Sequence, residues 1–163
     1  MQELDSRADQ LRHRRSNLPE IKEIATLTGK RTDVENLVRD ARIVVDDLTT
    51  EQKKVDQDVE AVKTRRTRDR DRMDQGLITN PKDLERMQHE LESLERRISS
   101  LEDDELEVME RLEEAQAELT KLEGMVAESD EQLTTLAAAR DEKLASIEEQ
   151  LTEVLARRGP AVE

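Results

Sequence analysis

From Ile24 to Val62 the chain repeats one spacing rule. Ile24, Leu27, Arg31, Val34, Val38, Ala41, Val45, Leu48, Gln52, Val55, Val59 and Val62 follow one another at alternating intervals of three and four, and only Arg31 and Gln52 among them are polar. The rule resumes at Leu84, Met87, Leu91, Leu94, Ile98, Leu101, Glu105 and Val108. It then runs through Leu112, Ala115, Leu119, Leu122, Val126, Ser129, Leu133 and Leu136. A seven-residue period held this long belongs to helices packed seam to seam in a left-handed supercoil. It overrides the disorder that 42% charged residues, 34% hydrophobic residues and a net charge of −14 would otherwise suggest. The chain has no Phe, Trp or Tyr, so the bulky material of a compact globular core is missing as well.

Three breakers divide the pattern. Asn17-Leu18-Pro19-Glu20 reads as a helix restart, with Asn17 as the cap, Pro19 in the first turn and Glu20 three residues after the cap. Gly76-Leu77-Ile78-Thr79-Asn80-Pro81 is the strongest interruption: Gly76 ends one helix, Asn80 caps the next and Pro81 opens it. Gly159-Pro160 is expected to end the last helix by the same chemistry. The expectation is a single hairpin domain over 1–158, with helices near 2–16, 18–75 and 81–158, a turn at 76–80 and a tail at 159–163.

An antiparallel hairpin makes the numbers of facing residues add to a near-constant value. Met73 with Leu84, Val62 with Leu94, Val59 with Ile98, Val55 with Leu101, Leu48 with Val108, Val45 with Leu112, Val38 with Leu119 and Val34 with Leu122 all give 156 or 157. The same register sets Gln52 against Glu105 as a polar layer. A slip of one heptad would face each with an apolar residue, at roughly 1–3 kcal/mol for each poorly satisfied group. Near Leu133 the phase slips and restarts as Ala137, Arg140, Leu144, Ile147, Leu151 and Val154, a stutter. These pair with Leu18, Arg15, Leu11, Ala8, Leu4 and Met1 at a constant 155, so the short first helix prolongs the ascending arm. The fold class is therefore all-α: a long antiparallel coiled-coil hairpin with a break near Asn17–Pro19 opposite a stutter near Leu133–Ala137. A bend is expected there, with Arg15 and Arg140 facing each other, and arms of about 75 residues would make a rod about 110 Å long.

Little of the sequence suits bond-making chemistry. There is no cysteine, hence no disulfide and no Cys-based zinc site in these residues. His13 and His89 are the only histidines; Glu85 and Glu92 lie within a turn of His89, but no second histidine completes a metal site. Glu102-Asp103-Asp104-Glu105 lacks the glycine and ligand spacing of a calcium loop. A coiled coil offers no enclosed pocket for general acid catalysis, so a non-enzymatic protein without a cofactor in this chain is expected. The N-terminus has no signal-like segment and no apolar run could cross a bilayer, so a cytoplasmic location without membrane contact is expected.

Charge is the one asymmetry. Residues 101–163 hold nineteen acids against six bases, whereas residues 63–86, around the turn, hold eight bases against five acids. The bases are Lys63, Arg65, Arg66, Arg68, Arg70, Arg72, Lys82 and Arg86. They are dense enough to meet phosphates or an acidic partner, although Asp69, Asp71 and Asp74 interleave as on an ordinary solvated face. Arg12-His13-Arg14-Arg15 is a weaker cluster. Asn80-Pro81-Lys82-Asp83 reads either as a recognition motif at an exposed turn or as simple capping. Leu37, Val44 and Leu106 are fragments of a second apolar stripe, too few for self-association, which favours a monomeric hairpin.

The opening Gln2-Glu3-Leu4-Asp5 through Leu11-Arg12-His13-Arg14-Arg15-Ser16-Asn17-Leu18-Pro19-Glu20 resembles a family of bacterial proteins. These join a coiled-coil hairpin to a C-terminal four-cysteine zinc ribbon, and the actinobacterial members are nearest in style. Thr79-Asn80-Pro81-Lys82-Asp83-Leu84, Gln88-His89-Glu90-Leu91 and Leu106-Glu107-Val108-Met109-Glu110-Arg111-Leu112-Glu113-Glu114 are similar to that family's turn and descending helix. The resemblance implies a cytoplasmic adaptor or scaffold whose hairpin engages protein partners, with a zinc-bearing ribbon that contacts nucleic acid or protein. Zinc is implied for the full-length protein only, because the ribbon's paired CxxC motifs are absent here and the chain reads as the hairpin without its ribbon. The alternative is a nucleic-acid-binding regulator in which the basic turn assists the ribbon.

Overall fold

The computed structural model describes residues 2–162, with side-chain surroundings for 2–159. It contains three helices and, among the described residues, no strand: α1 (Gln2–Ser16), α2 (Pro19–Asp74) and α3 (Pro81–Val162). α2 and α3 form the long antiparallel hairpin. Every position of the two heptad series from Ile24 to Val62 and from Leu84 to Leu136 is buried or half-buried, while their outward neighbours are mostly exposed.

Each helix end has a local cause. At the end of α2, Gly76 takes a φ of 69°, the left-handed conformation that glycine adopts without a Cβ penalty. The Leu77 N–H donates to the Arg72 carbonyl at 3.2 Å and the Gly76 N–H to the Met73 carbonyl at 3.1 Å. These two bonds are the paired closure of a Schellman motif. At the start of α3 the Asn80 Oδ1 accepts the Lys82 N–H at 2.9 Å, so Asn80 is the cap and Pro81 the first helical residue. Capping thus accounts for the Asn80-Pro81-Lys82-Asp83 run.

The first break departs from expectation. The Asn17 amide donates to the His13 carbonyl at 2.9 Å, closing the end of α1 instead of capping α2. Glu20, expected to complete that cap, is 8% exposed and pairs with Lys143 of α3. The cross-helix ammonium holds the carboxylate through a charge-assisted bond. Gly159 and Pro160 do not end α3, which continues to Val162. A proline within a helix forfeits its own N–H bond and crowds the carbonyl four residues back, costs that fall here only in the last turn of α3. Seam position Met1 and tail residue Glu163 lie outside the described residues, and Arg15 and Arg140 are not left facing each other as like charges. Arg15 pairs with Glu148 at 2.7 Å and Arg140 with Asp141 at 3.1 Å.

The chain divides into two compact units, residues 1–38 with 121–163 and residues 39–120. In the first, Ala8, Leu11, Leu18, Ile147, Leu151 and Val154 form an apolar cluster flanked by Leu4 and Leu144, all drawn from the register expected for α1 against α3. Leu136, Ala137, Ala139 and Arg140 are all half-buried, so the buried face of α3 widens at the stutter. In the second unit the seam is carried by Val59, Leu94, Ile98, Leu101 and Val108, none more than 8% exposed.

Candidate binding surface at the hairpin tip

Extending the spacing rule of α2 beyond Val62 leads to Arg66, Asp69 and Met73, so two polar residues occupy consecutive seam positions next to the turn. Asp69 is 4% exposed. Its nearest cation is the Arg68 guanidinium at 4.0 Å, and its Oδ2 has no hydrogen-bond partner. Arg66 is half-buried and donates through Nη1 to both Glu95 oxygens, at 3.2 and 3.3 Å, while its Nε is unpartnered. Sequence reasoning placed Arg66 among the bases of a candidate binding surface and Asp69 among the acids interleaved with them; carrying the three-four count one heptad further would have put both on the seam.

The eight bases of the turn region separate into two groups. Arg65 pairs with Glu90, Arg66 and Arg70 both pair with Glu95, the latter at 2.8 Å, and Arg68 lies beside Asp69. Arg65 and Arg70 lie on opposite margins of the seam and tie α2 to α3 from both sides. Lys63, Arg72, Lys82 and Arg86 have no carboxylate within 4 Å among the described residues. Arg72 and Arg86 line one concavity of about 350 Å³ together with Leu77, Ile78, Thr79, Asn80, Asp83, Met87 and Glu90. Leu77 is 66% exposed, more than any other large hydrophobic among the described residues. The tip therefore sets a few apolar side chains, Leu77, Ile78 and Met87, in a mostly polar concavity beside cations without a carboxylate partner among the described residues.

The two residues of the expected polar layer occupy seam positions without bonding each other. Gln52 and Glu105 are both half-buried at seam positions, yet no hydrogen bond joins them among the described residues. The Glu105 carboxyl is instead held above the usual carboxylate range, first by a shared hydrogen bond with Asp56 and then by partial burial and that neighbour's charge. Arg31, the other polar seam residue of α2, bonds Asp130 and Glu35, and that carboxylate pairing raises its guanidinium further.

Other clusters are less suggestive. His89 is solvent-exposed, 3.9 Å from Glu85 and 3.8 Å from Glu92. Among the described residues no group of three metal-ligating side chains converges, and no helix is long and apolar enough to cross a membrane. Leu37, Ile43, Val44, Leu106 and Met109 are exposed. On the heptad count Val44 and Met109 flank opposite margins of the seam, so these residues do not merge into a second stripe.

Comparison with known proteins adds three findings. A family model described as a CT398-like coiled coil hairpin domain matches residues 1–163. The uncharacterized protein Rv2229c of Mycobacterium tuberculosis is 34% identical over 146 residues, which cover 90% of this chain and 59% of the relative; an uncharacterized protein of Mycobacterium leprae is 28% identical over 149 residues, 91% of this chain and 64% of the relative. A solved structure titled as a structural characterization from Mycobacterium smegmatis superposes with a TM-score of 0.82 at 34% identity, covering 98% of this chain and 66% of that one. The chain thus spans about three-fifths of the length of the curated relatives it matches.

Proposed function

Since the chain belongs to the CT398-like coiled coil hairpin domain family, whose shared feature is a paired-helix scaffold, we propose that it is a non-enzymatic, cytoplasmic adaptor that holds protein partners through the hairpin and chiefly through its tip. One observation carries this reading. Among eight bases near the turn, four lie beside three carboxylates of the hairpin, Glu90, Glu95 and Asp69, whereas Arg72 and Arg86 have no such partner among the described residues and line a concavity with an exposed leucine. Exposed apolar side chains set among arginines with no carboxylate partner are what a protein-binding patch offers a partner. Zinc enters the proposal only through the resemblance to ribbon-bearing proteins, and no residue of this chain is assigned to it.

The nucleic-acid alternative has a smaller footprint than the composition suggested. With four unpaired cations, even complete phosphate engagement would give a log–log salt slope no steeper than about −4, and the chain has no aromatic on which bases could stack. The test is site-specific photocrosslinking in cells producing the full-length protein, with a photoreactive residue at Leu77 or, as a control, at Ile43, which is also exposed. Protein adducts concentrated at Leu77 are expected. Adducts from Ile43 alone, or RNA adducts at Leu77, would overturn the reading.

A further inference from the structure

We propose that the tip concavity takes an acidic protein segment bearing a bulky apolar side chain, with Leu77, Ile78 and Met87 receiving the apolar group and Arg72 and Arg86 its flanking carboxylates. This rests on the reading of the tip as the adaptor's binding surface and names the chemistry of what binds there.

The closure of α2 leaves Leu77 without its customary neighbour. In a Schellman motif the residue after the left-handed glycine packs against the side chain at the third position from the helix end. Here those two residues are Leu77 and Arg72, which the 3.2 Å backbone bond joins directly. An arginine stem covers less apolar surface than a leucine would, and Leu77 remains 66% exposed. The apolar contact that usually accompanies this closure is thus largely unmade, while the glycine supplies the turn and Asn80 with Pro81 supplies the next helix start.

Charge selects the occupant. Arg65, Arg66 and Arg70 are matched by Glu90 and Glu95, so the helices of the tip are already held together without Arg72 and Arg86. Their unpaired guanidinium groups, on α2 and α3 respectively, flank the same concavity and favour bidentate bonds to carboxylates. Asp83 and Glu90 line it too and disfavour a polyphosphate, whose charge cannot be spaced around them, whereas a peptide can set its carboxylates at intervals. A second copy of the tip would bring like charges together.

The experiment selects phage-displayed random peptides on the immobilised full chain and measures the winners by fluorescence anisotropy. Enrichment of peptides with Asp or Glu flanking Leu, Ile, Met or Phe is expected. Binding should weaken at least about tenfold in both Leu77→Ala and the Arg72→Gln/Arg86→Gln double variant, and persist in Leu77→Met, with helicity unchanged. No enrichment, enrichment of basic or neutral peptides, equal binding by the variants, or displacement by a random-sequence RNA oligonucleotide would each overturn the proposal. If selection fails while Leu77 still yields protein photoadducts, this inference falls and the adaptor reading stands; if both fail, both fall.

Discussion

The α1–α3 cluster and the tip are built on the same spacing rule and filled with opposite chemistry. In the first, six side chains from Ala8 to Val154 are nearly water-free and all apolar. At the tip the same positions hold Arg66 and Asp69, with an unpartnered buried carboxylate oxygen and an unpartnered buried guanidinium N–H. A heptad needs only some seam layers to be apolar in order to hold two helices together; the others can be given to register, closure and recognition. Cohesion is concentrated in the apolar cluster, and the proposed binding surface adjoins the stretch where two polar residues interrupt the seam.

The largest contrast lies in the apolar layers. Ile147, 2% exposed, should cost about 2–5 kcal/mol on replacement by Ala, whereas half-buried Leu91 at the tip should cost about 1 kcal/mol by the same change, both measured by urea denaturation. Equal costs would dissolve the comparison. Next in size is Asp69. Replacement by Leu removes an unsatisfied buried carboxylate and restores the heptad, so stability should rise by about 1–3 kcal/mol. A fall would show that Asp69 belongs to a stabilising network.

Smaller effects sharpen the comparison through pH, because two carboxylates respond in opposite directions. Glu105 titrates above its ordinary value of 4.5, owing first to its bond with Asp56, so the folded chain holds that proton more tightly than the unfolded chain. Its contribution is present below 4.5 and is lost as pH rises through the raised value. Glu105→Gln should therefore raise the melting temperature by a few degrees at pH 7 and hardly at pH 4. Glu20 titrates below 4.5, chiefly because Lys143 bonds it. Its contribution is present above 4.5 and is lost as pH falls through the lowered value. Lys143→Met should lower the melting temperature at pH 7 and have little effect at pH 3; thermal scans across pH check both.

Much of this fold was legible because heptad spacing, glycine and proline chemistry are local or additive signals. Constant facing numbers placed Ala8 against Ile147 and Leu4 against Leu151, and Gly76 and Asn80 bounded the turn to within one residue. What escaped were choices among competing partners. Asn17 had two helix ends within reach and closed the earlier one. Glu105, expected opposite Gln52, has its carboxyl raised chiefly by the neighbouring Asp56. The candidate site was half legible for the same reason: composition marked the basic turn, but which bases remain unpaired depends on Glu90 and Glu95, which only the fold brings near.

The most direct measurement is hydrogen exchange within α3, which samples both regions along one helix. Amides of residues 84–91, opposite the polar seam of α2, should exchange markedly faster than those of residues 144–151, which pack on α1. Equal protection, or stronger protection near the turn, would contradict the claim that the polar seam at the tip gives up cohesion.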